Sequence, residues 1–167
     1  MTYFQLERMT ATEATMTSAG YSPASSTTIR LDEQSRTGMG VEATRVTGLG
    51  LSPVSITATP NQVGATPRFV RKLPRDIDIT LNIHTANLTD RRATEDKLSN
   101  ILSGECLLRR CSSDGGTTLA LPSNYHYLRV FFAGGGTYAL GDGKTKDTEV
   151  ELVITLRAHK PDWKIGG

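Results

Sequence analysis

Residues 74–85, PRDIDITLNIHT, alternate without a break. Ile77, Ile79, Leu81 and Ile83 fall on one side; Asp76, Asp78, Thr80, Asn82 and His84 fall on the other. A strict period of two over that length predicts a strand with one buried face and one wetter face. Near the end of the chain the pattern returns across Thr148–His159. Val150, Leu152, Ile154, Leu156 and Ala158 oppose Glu149, Glu151, Thr155 and Arg157. Two such strands need a second layer to cover their apolar sides, so the chain is bound to a layered β architecture.

One helix is predicted between them, at about 88–103. Asn87 or Thr89 can cap it, and Asp90 sits in the first turn, where the helix dipole favours negative charge. Thr94, Leu98, Ile101, Leu102 and Cys106 recur at spacings of three and four. Arg91, Arg92, Glu95, Asp96 and Lys97 solvate the remainder, and Arg91 and Glu95 are placed to pair at i,i+4. Gly104 is the expected stop, in a left-handed turn.

The rest reads as short strands and turns. Arg45–Leu51 is β-prone but interrupted by Gly48 and Gly50, which points to a bulge or a close backbone contact. Val54–Thr59 alternates, and Pro60-Asn61 marks a turn. Residues 61–73 read as a polar link carrying Arg68, Arg71 and Lys72. After the helix, Glu105–Cys111 and Thr117–Leu121 flank SSDGG, and Tyr125–Phe132 and Gly136–Leu140 flank an AGGG turn. The order is strands, one helix, strands, with no βα alternation. That disfavours a doubly wound sheet and favours a mainly β fold: an antiparallel β-sandwich with one packed α-helix and an extended hairpin or arm.

The chain's 167 residues suit one domain, or one domain with an arm. Residues 1–40, rich in Thr, Ser, Ala and Gly, offer a short strand at Thr27–Leu31 and are otherwise expected to form an N-terminal arm or loops, either ordered against a neighbouring subunit or free. Residues 41–167 are expected to form a single β-sandwich domain. Only 37% of the residues are hydrophobic, against roughly 45–50% in an average soluble domain, so burial is expected to be completed against copies or partners. A net charge of +2 does not fit a nucleic-acid binder driven by bulk charge. No run approaches the roughly 18 apolar residues of a membrane span, and the N-terminus lacks a secretory pattern. Cys106 and Cys111, five apart on a strand, would sit about 16 Å apart on opposite faces, too far for a disulfide. Reduced thiols fit synthesis in a cytoplasm.

Sites of chemistry are sparse. Gly141-Asp142-Gly143-Lys144-Thr145 has the end of a phosphate-binding loop, but Tyr138 stands where that loop needs Gly, and a strand follows instead of a helix. His84, His126 and His159 have no metal-ligand spacing. Asp76 and Asp78 share a face and have the carboxylates for acid–base work, but solvation or pairing with Arg75 or Lys72 accounts for them. Asn87-Leu88-Thr89 is a glycosylation sequon without a secretory route. No catalytic, cofactor or metal residue is assigned. The basic set Arg68, Arg71, Lys72 and Arg75, with Phe69, is expected to make intersubunit contacts to acidic strand residues such as Glu149 and Glu151. The Gly115-Gly116 and Gly134–Gly136 tips read first as turns and second as docking loops.

One pattern runs through most of these features. A GLGL segment is followed by a basic stretch and RKLPRDIDITLNI, a helix ending in DKLSNIL, a hairpin, and a long last strand closing in HKPDW. From Gly48 to Trp163 the chain thereby resembles the N-terminal, ring-forming domain of siphophage distal tail proteins, in which the close is usually Asp-Pro and an aromatic. The resemblance implies a non-enzymatic virion protein related to tail tube proteins. Its members form a usually hexameric ring at the distal end of the tail, joining the tube to the host-recognition apparatus and leaving a channel for DNA. It implies no cofactor and no membrane span. Many members carry a galectin-like second domain, so a chain of this length is expected to be a minimal ring form. The 61–75 segment and the N-terminal arm are the expected intersubunit elements. Two other readings are a tail tube or tube-completion protein and a small carbohydrate-binding sandwich; the single Trp and few aromatics disfavour the second. An enzyme has the least support.

Overall fold

The computed structural model describes residues 2–32, 39–61, 64–112, 119–137 and 149–167. In chain order the elements are β1 (Thr2–Arg8), α1 (Glu13–Met16), β2 (Thr28–Arg30), β3 (Met39–Val46), β4 (Val54–Asn61), β5 (Gly64–Lys72), β6 (Arg75–Thr85), α2 (Leu88–Leu102), β7 (Glu105–Ser112), β8 (Tyr125–Gly135), β9 (Glu149–Ala158) and β10 (Lys164–Gly166). The fold is mainly antiparallel β, as expected, with one long helix and a single-turn one among the described residues.

The alternating strands form the spine. β6 pairs with β9 so that Ile77, Ile79, Leu81 and Ile83 lie opposite Leu156, Ile154, Leu152 and Val150. All four β6 side chains are fully buried, each worth about 1.5–3 kcal/mol of apolar transfer. The main sheet runs β2-β1-β7-β8-β9-β6-β3, with β10 added on β8. It curls until its ends meet: Leu31, just past β2, donates its N–H to Phe4 (2.8 Å) and accepts from Ala43 of β3 (3.1 Å). The two halves thus close as a sandwich over one core, into which α2 inserts Leu98 and Ile101. Asn87 caps α2, accepting from the Asp90 N–H (2.9 Å). The expected Arg91–Glu95 pair forms at 2.9 Å.

A second, smaller core lies on the opposite face of β1, β7 and β8. Tyr3, Leu107, Cys111, Tyr125 and Tyr127 meet Met16 of α1 there. β7 serves both cores, with Cys106 and Leu108 in the first and Leu107 and Cys111 in the second. The cysteines are buried free thiols on opposite faces. Burial pushes the Cys106 thiol up to about 12, so it is unreactive at neutral pH.

Several expectations are corrected. The short strand at Thr27–Leu31 is present as β2, but the other N-terminal residues, read as an arm or loops, supply an inner strand of the sheet, β1, together with α1. The 61–73 link is strand β5, paired with β4. The AGGG segment is no turn: β8 continues to Gly135 with a bulge between Phe132 and Gly134. α2 ends at Ser103 in a right-handed conformation, and Gly104 does not take positive φ. β9 is followed by one more strand, β10. Residues 119–121 carry no strand. The 113–118 tip with Gly115-Gly116, the 138–140 part of an expected strand and the 141–145 loop lie outside the described residues.

Candidate assembly surface

β4 and β5 form a two-stranded ribbon whose strands pair with each other and not with the main sheet. Its register sets two faces. Val54 lies opposite Lys72, and Ile56 opposite Val70, so Val54, Ile56 and Val70 share one face; Ser55 and Arg71 share the other. Val54, Ile56 and Val70 are 49%, 59% and 65% exposed. Leu51 and Leu73, at the ribbon's base, are exposed as well, so half of the ten exposed large hydrophobics among the described residues lie on this ribbon and its base. An isolated two-stranded ribbon is marginal in water, and a contiguous bare apolar face marks an interaction surface.

The ribbon is mounted on the body by a set of polar contacts. Leu73 donates its N–H to the Pro53 carbonyl (2.9 Å), closing the neck. Lys72 is ion-paired with Asp162, from the Lys160-Pro161-Asp162-Trp163 close. Ser52 donates to the same carboxylate (2.6 Å). Arg75 reaches in from the start of β6, donating from Nη1 to the Leu49 carbonyl and from Nη2 to Ser52 Oγ, both at 3.3 Å. The Lys72 ammonium and then Ser52 hold the Asp162 carboxyl below its ordinary value. Nearby, Gly48 has φ +83°, and a Cβ there would stand 2.1 Å from the Asp76 carbonyl oxygen. The close backbone contact expected at Gly48 is therefore present, and it lays the GLGL segment against β6.

The residues singled out from sequence are dispersed by this arrangement. Arg75 is only 3% exposed; it braces the neck from inside, rather than standing at an outer face. Lys72 is committed to Asp162, and Arg71 is exposed on the ribbon's polar face. Arg68 and Phe69 lie on β5 with side chains outside those described. Glu151 is exposed opposite Asn82 of β6, and Glu149 accepts from Asn82 Nδ2 (3.4 Å) with His84 Nδ1 3.8 Å away. Asp76 and Asp78 pair neither with Arg75 nor with Lys72. Arg157 binds Asp76 through two bonds (2.7 and 2.8 Å), and Thr155 donates to Asp78 (2.6 Å). The described residues hold no group of three or more His, Cys, Asp or Glu placed for a metal.

Sequence reasoning missed the clasp at Asp162 and the apolar ribbon face. The alternation of Val54, Ile56 and Ala58 was legible; that Val54 and Ile56 stay exposed on it was not.

No protein-family model matches the chain, and no curated protein matches it. Solved structures do. A chain of the phage P2 baseplate in its activated conformation with Ca superposes with a TM-score of 0.64 at 12% identity, over 98% of this chain and 45% of that one. The same baseplate with Sr gives the same values. The SPP1 Dit protein gives a TM-score of 0.48 at 10% identity, over 72% of this chain and 45% of that one. This chain spans just under half the length of the baseplate chain it matches. The chain thus shares its fold with a protein of the phage P2 baseplate.

Proposed function

We propose that the chain is a structural virion protein that forms a ring, hexameric by the family resemblance, at the distal end of a phage tail. It joins the tail tube to the tail-tip and host-recognition apparatus and surrounds the channel through which DNA passes without sequence-specific binding. The observation that carries the proposal is the shared fold with a baseplate chain over 98% of the length. The bare ribbon supports it from within the molecule, because a chain that exposes Val54, Ile56 and Val70 has left part of its burial for another chain.

In this reading the work is assembly, with no cofactor and no catalysis. Ribbon and body belong to different surfaces of one chain, so a ribbon-to-body contact is heterologous, and it closes a ring when the rotation per subunit allows. The ribbon residues Arg68, Phe69, Arg71 and Lys72 and the β9 residues Glu149 and Glu151 are proposed at intersubunit contacts. The neighbours along the tail are a tube protein and a tip or hub protein, and the location is the virion tail after synthesis in the host cytoplasm.

Light scattering and negative-stain imaging of the purified chain test the proposal. Discrete closed rings are expected. Growth into long tubes would assign the chain to the tube itself, and a strict monomer, alone and with tail partners, would refute the reading.

A further inference from the structure

The smaller core contains a polar layer. Gln5 and Glu7 of β1, Thr28 of β2 and Arg109 of β7 have no exposure at all. Register brings them together. Gln5 lies opposite Arg109 on one side and Arg30 on the other, and Glu7 lies opposite Thr28. Cβ atoms so opposed stand about 4.5–5.5 Å apart. Part of the layer is satisfied within the chain. Arg109 donates from Nη2 to the Met16 carbonyl (2.9 Å), Arg109 Nη1 is ion-paired with Glu7, and the Tyr21 hydroxyl donates to Glu7 (2.7 Å). The rest is not. Gln5 Nε2, Gln5 Oε1, Thr28 Oγ1 and Arg109 Nε are buried and find no hydrogen-bond partner in the chain. Folded proteins rarely leave buried polar groups unpaired, and an ordered water or ion is a recurring reason where they do.

We infer that this layer is a binding site for internal water, roughly one or two molecules, bridging Gln5 to Arg109 and to Thr28. The donor set selects water over an ion. Gln5 Oε1 needs a donor, Gln5 Nε2 and Arg109 Nε need acceptors, and Thr28 Oγ1 serves as either. An anion would face the Gln5 oxygen and the Glu7 carboxylate, and a cation would face the Arg109 guanidinium. Water donates and accepts at once, and a buried water typically makes about three such bonds. The complete burial of all four side chains suits an occupant of that size and no larger organic molecule. The bound water links β2 and β7 through the side chains of the inner strand β1, beside the Arg109–Glu7 pair. It thereby lets a glutamine occupy a position where an alternating strand would carry an apolar residue.

The site lies inside one chain, so its test does not depend on assembly. A crystal structure of the full chain, at a resolution that shows ordered solvent, is expected to place water about 2.7–3.2 Å from the Gln5 amide and from Arg109 Nε. Magnetic relaxation dispersion of the solvent nuclei, which counts long-lived internal waters, supplies a second readout. Gln5→Leu is expected to lose at least one long-lived water per chain relative to wild type. A crystal structure in which the Gln5 amide bonds directly to Arg109 or Thr28, with no water density between them, would overturn the inference. A folded Gln5→Leu variant with an unchanged dispersion amplitude would overturn it equally.

Discussion

Arg109 and Glu7 form an ion pair with no exposure at all, between β7 and β1. Two further bonds flank it: Arg109 Nη2 donates to the Met16 carbonyl (2.9 Å), and the Tyr21 hydroxyl donates to Glu7 (2.7 Å). Removing one partner strands a buried charge, which costs about 3–5 kcal/mol. Arg109→Met is therefore expected to lower unfolding stability by about that amount in urea titration, and Glu7→Leu/Arg109→Met by clearly less. An unchanged midpoint for Arg109→Met would contradict the placement. Glu13 is the corresponding group at the surface of the same cluster. Burial works against its ionisation, but bonds from Lys164, Tyr127 and Arg129 outweigh that and hold its carboxyl below the usual value. A lowered folded value contributes stability above the ordinary carboxylate range, lost as pH falls through the folded value. Glu13→Gln is expected to cost about 1–2 kcal/mol at neutral pH, with the two proteins converging in acid. A difference independent of pH would contradict the ionic account.

At the scale of elements, the ribbon and its clasp form a separable unit. Asp162→Asn weakens the Lys72 pair while leaving the main sheet untouched. Amide exchange is expected to quicken across Val54–Lys72 and to stay unchanged in β6 and β9; equal acceleration everywhere would contradict a local clasp. The sequence was legible where one face is dry and the other wet. β6, β9 and α2 announce themselves by period, and Asn87 by its capping chemistry. β1 was illegible because it is covered on both sides by different partners. Leu6 faces the main core, while Gln5 and Glu7, on the other face of the strand with Tyr3, are equally buried. Buried polar residues break the alternation and read as an arm. β5 was hidden by Gly64 and Pro67, which read as a loop and are tolerated because a ribbon has two edges. Of the basic set, sequence alone could not separate Arg75, which braces the neck, from Arg71, which faces outward. That distinction depends on Asp162 and Ser52, which lie far from Arg75 in the chain or carry no motif.

For the whole molecule, the low hydrophobic share is reconciled in an uneven way. The main core is buried, with Ile77, Ile79, Leu81, Ile83, Ile154 and Leu156 wholly inaccessible. Half of the exposed large hydrophobics among the described residues gather instead at the ribbon and its base. In the proposed reading, such a chain folds its body alone and completes its ribbon on assembly. The tail-ring account therefore makes its sharpest claim about position. Under that account, cryo-EM of isolated tails of the encoding phage, at a resolution that shows strands, tests it most directly. The account expects the curled sheet, α2 and the ribbon to fit a closed ring at the distal end of the tail tube, each ribbon lying on the adjacent subunit. Density for the chain elsewhere in the particle, or virions that lack it, would contradict the account.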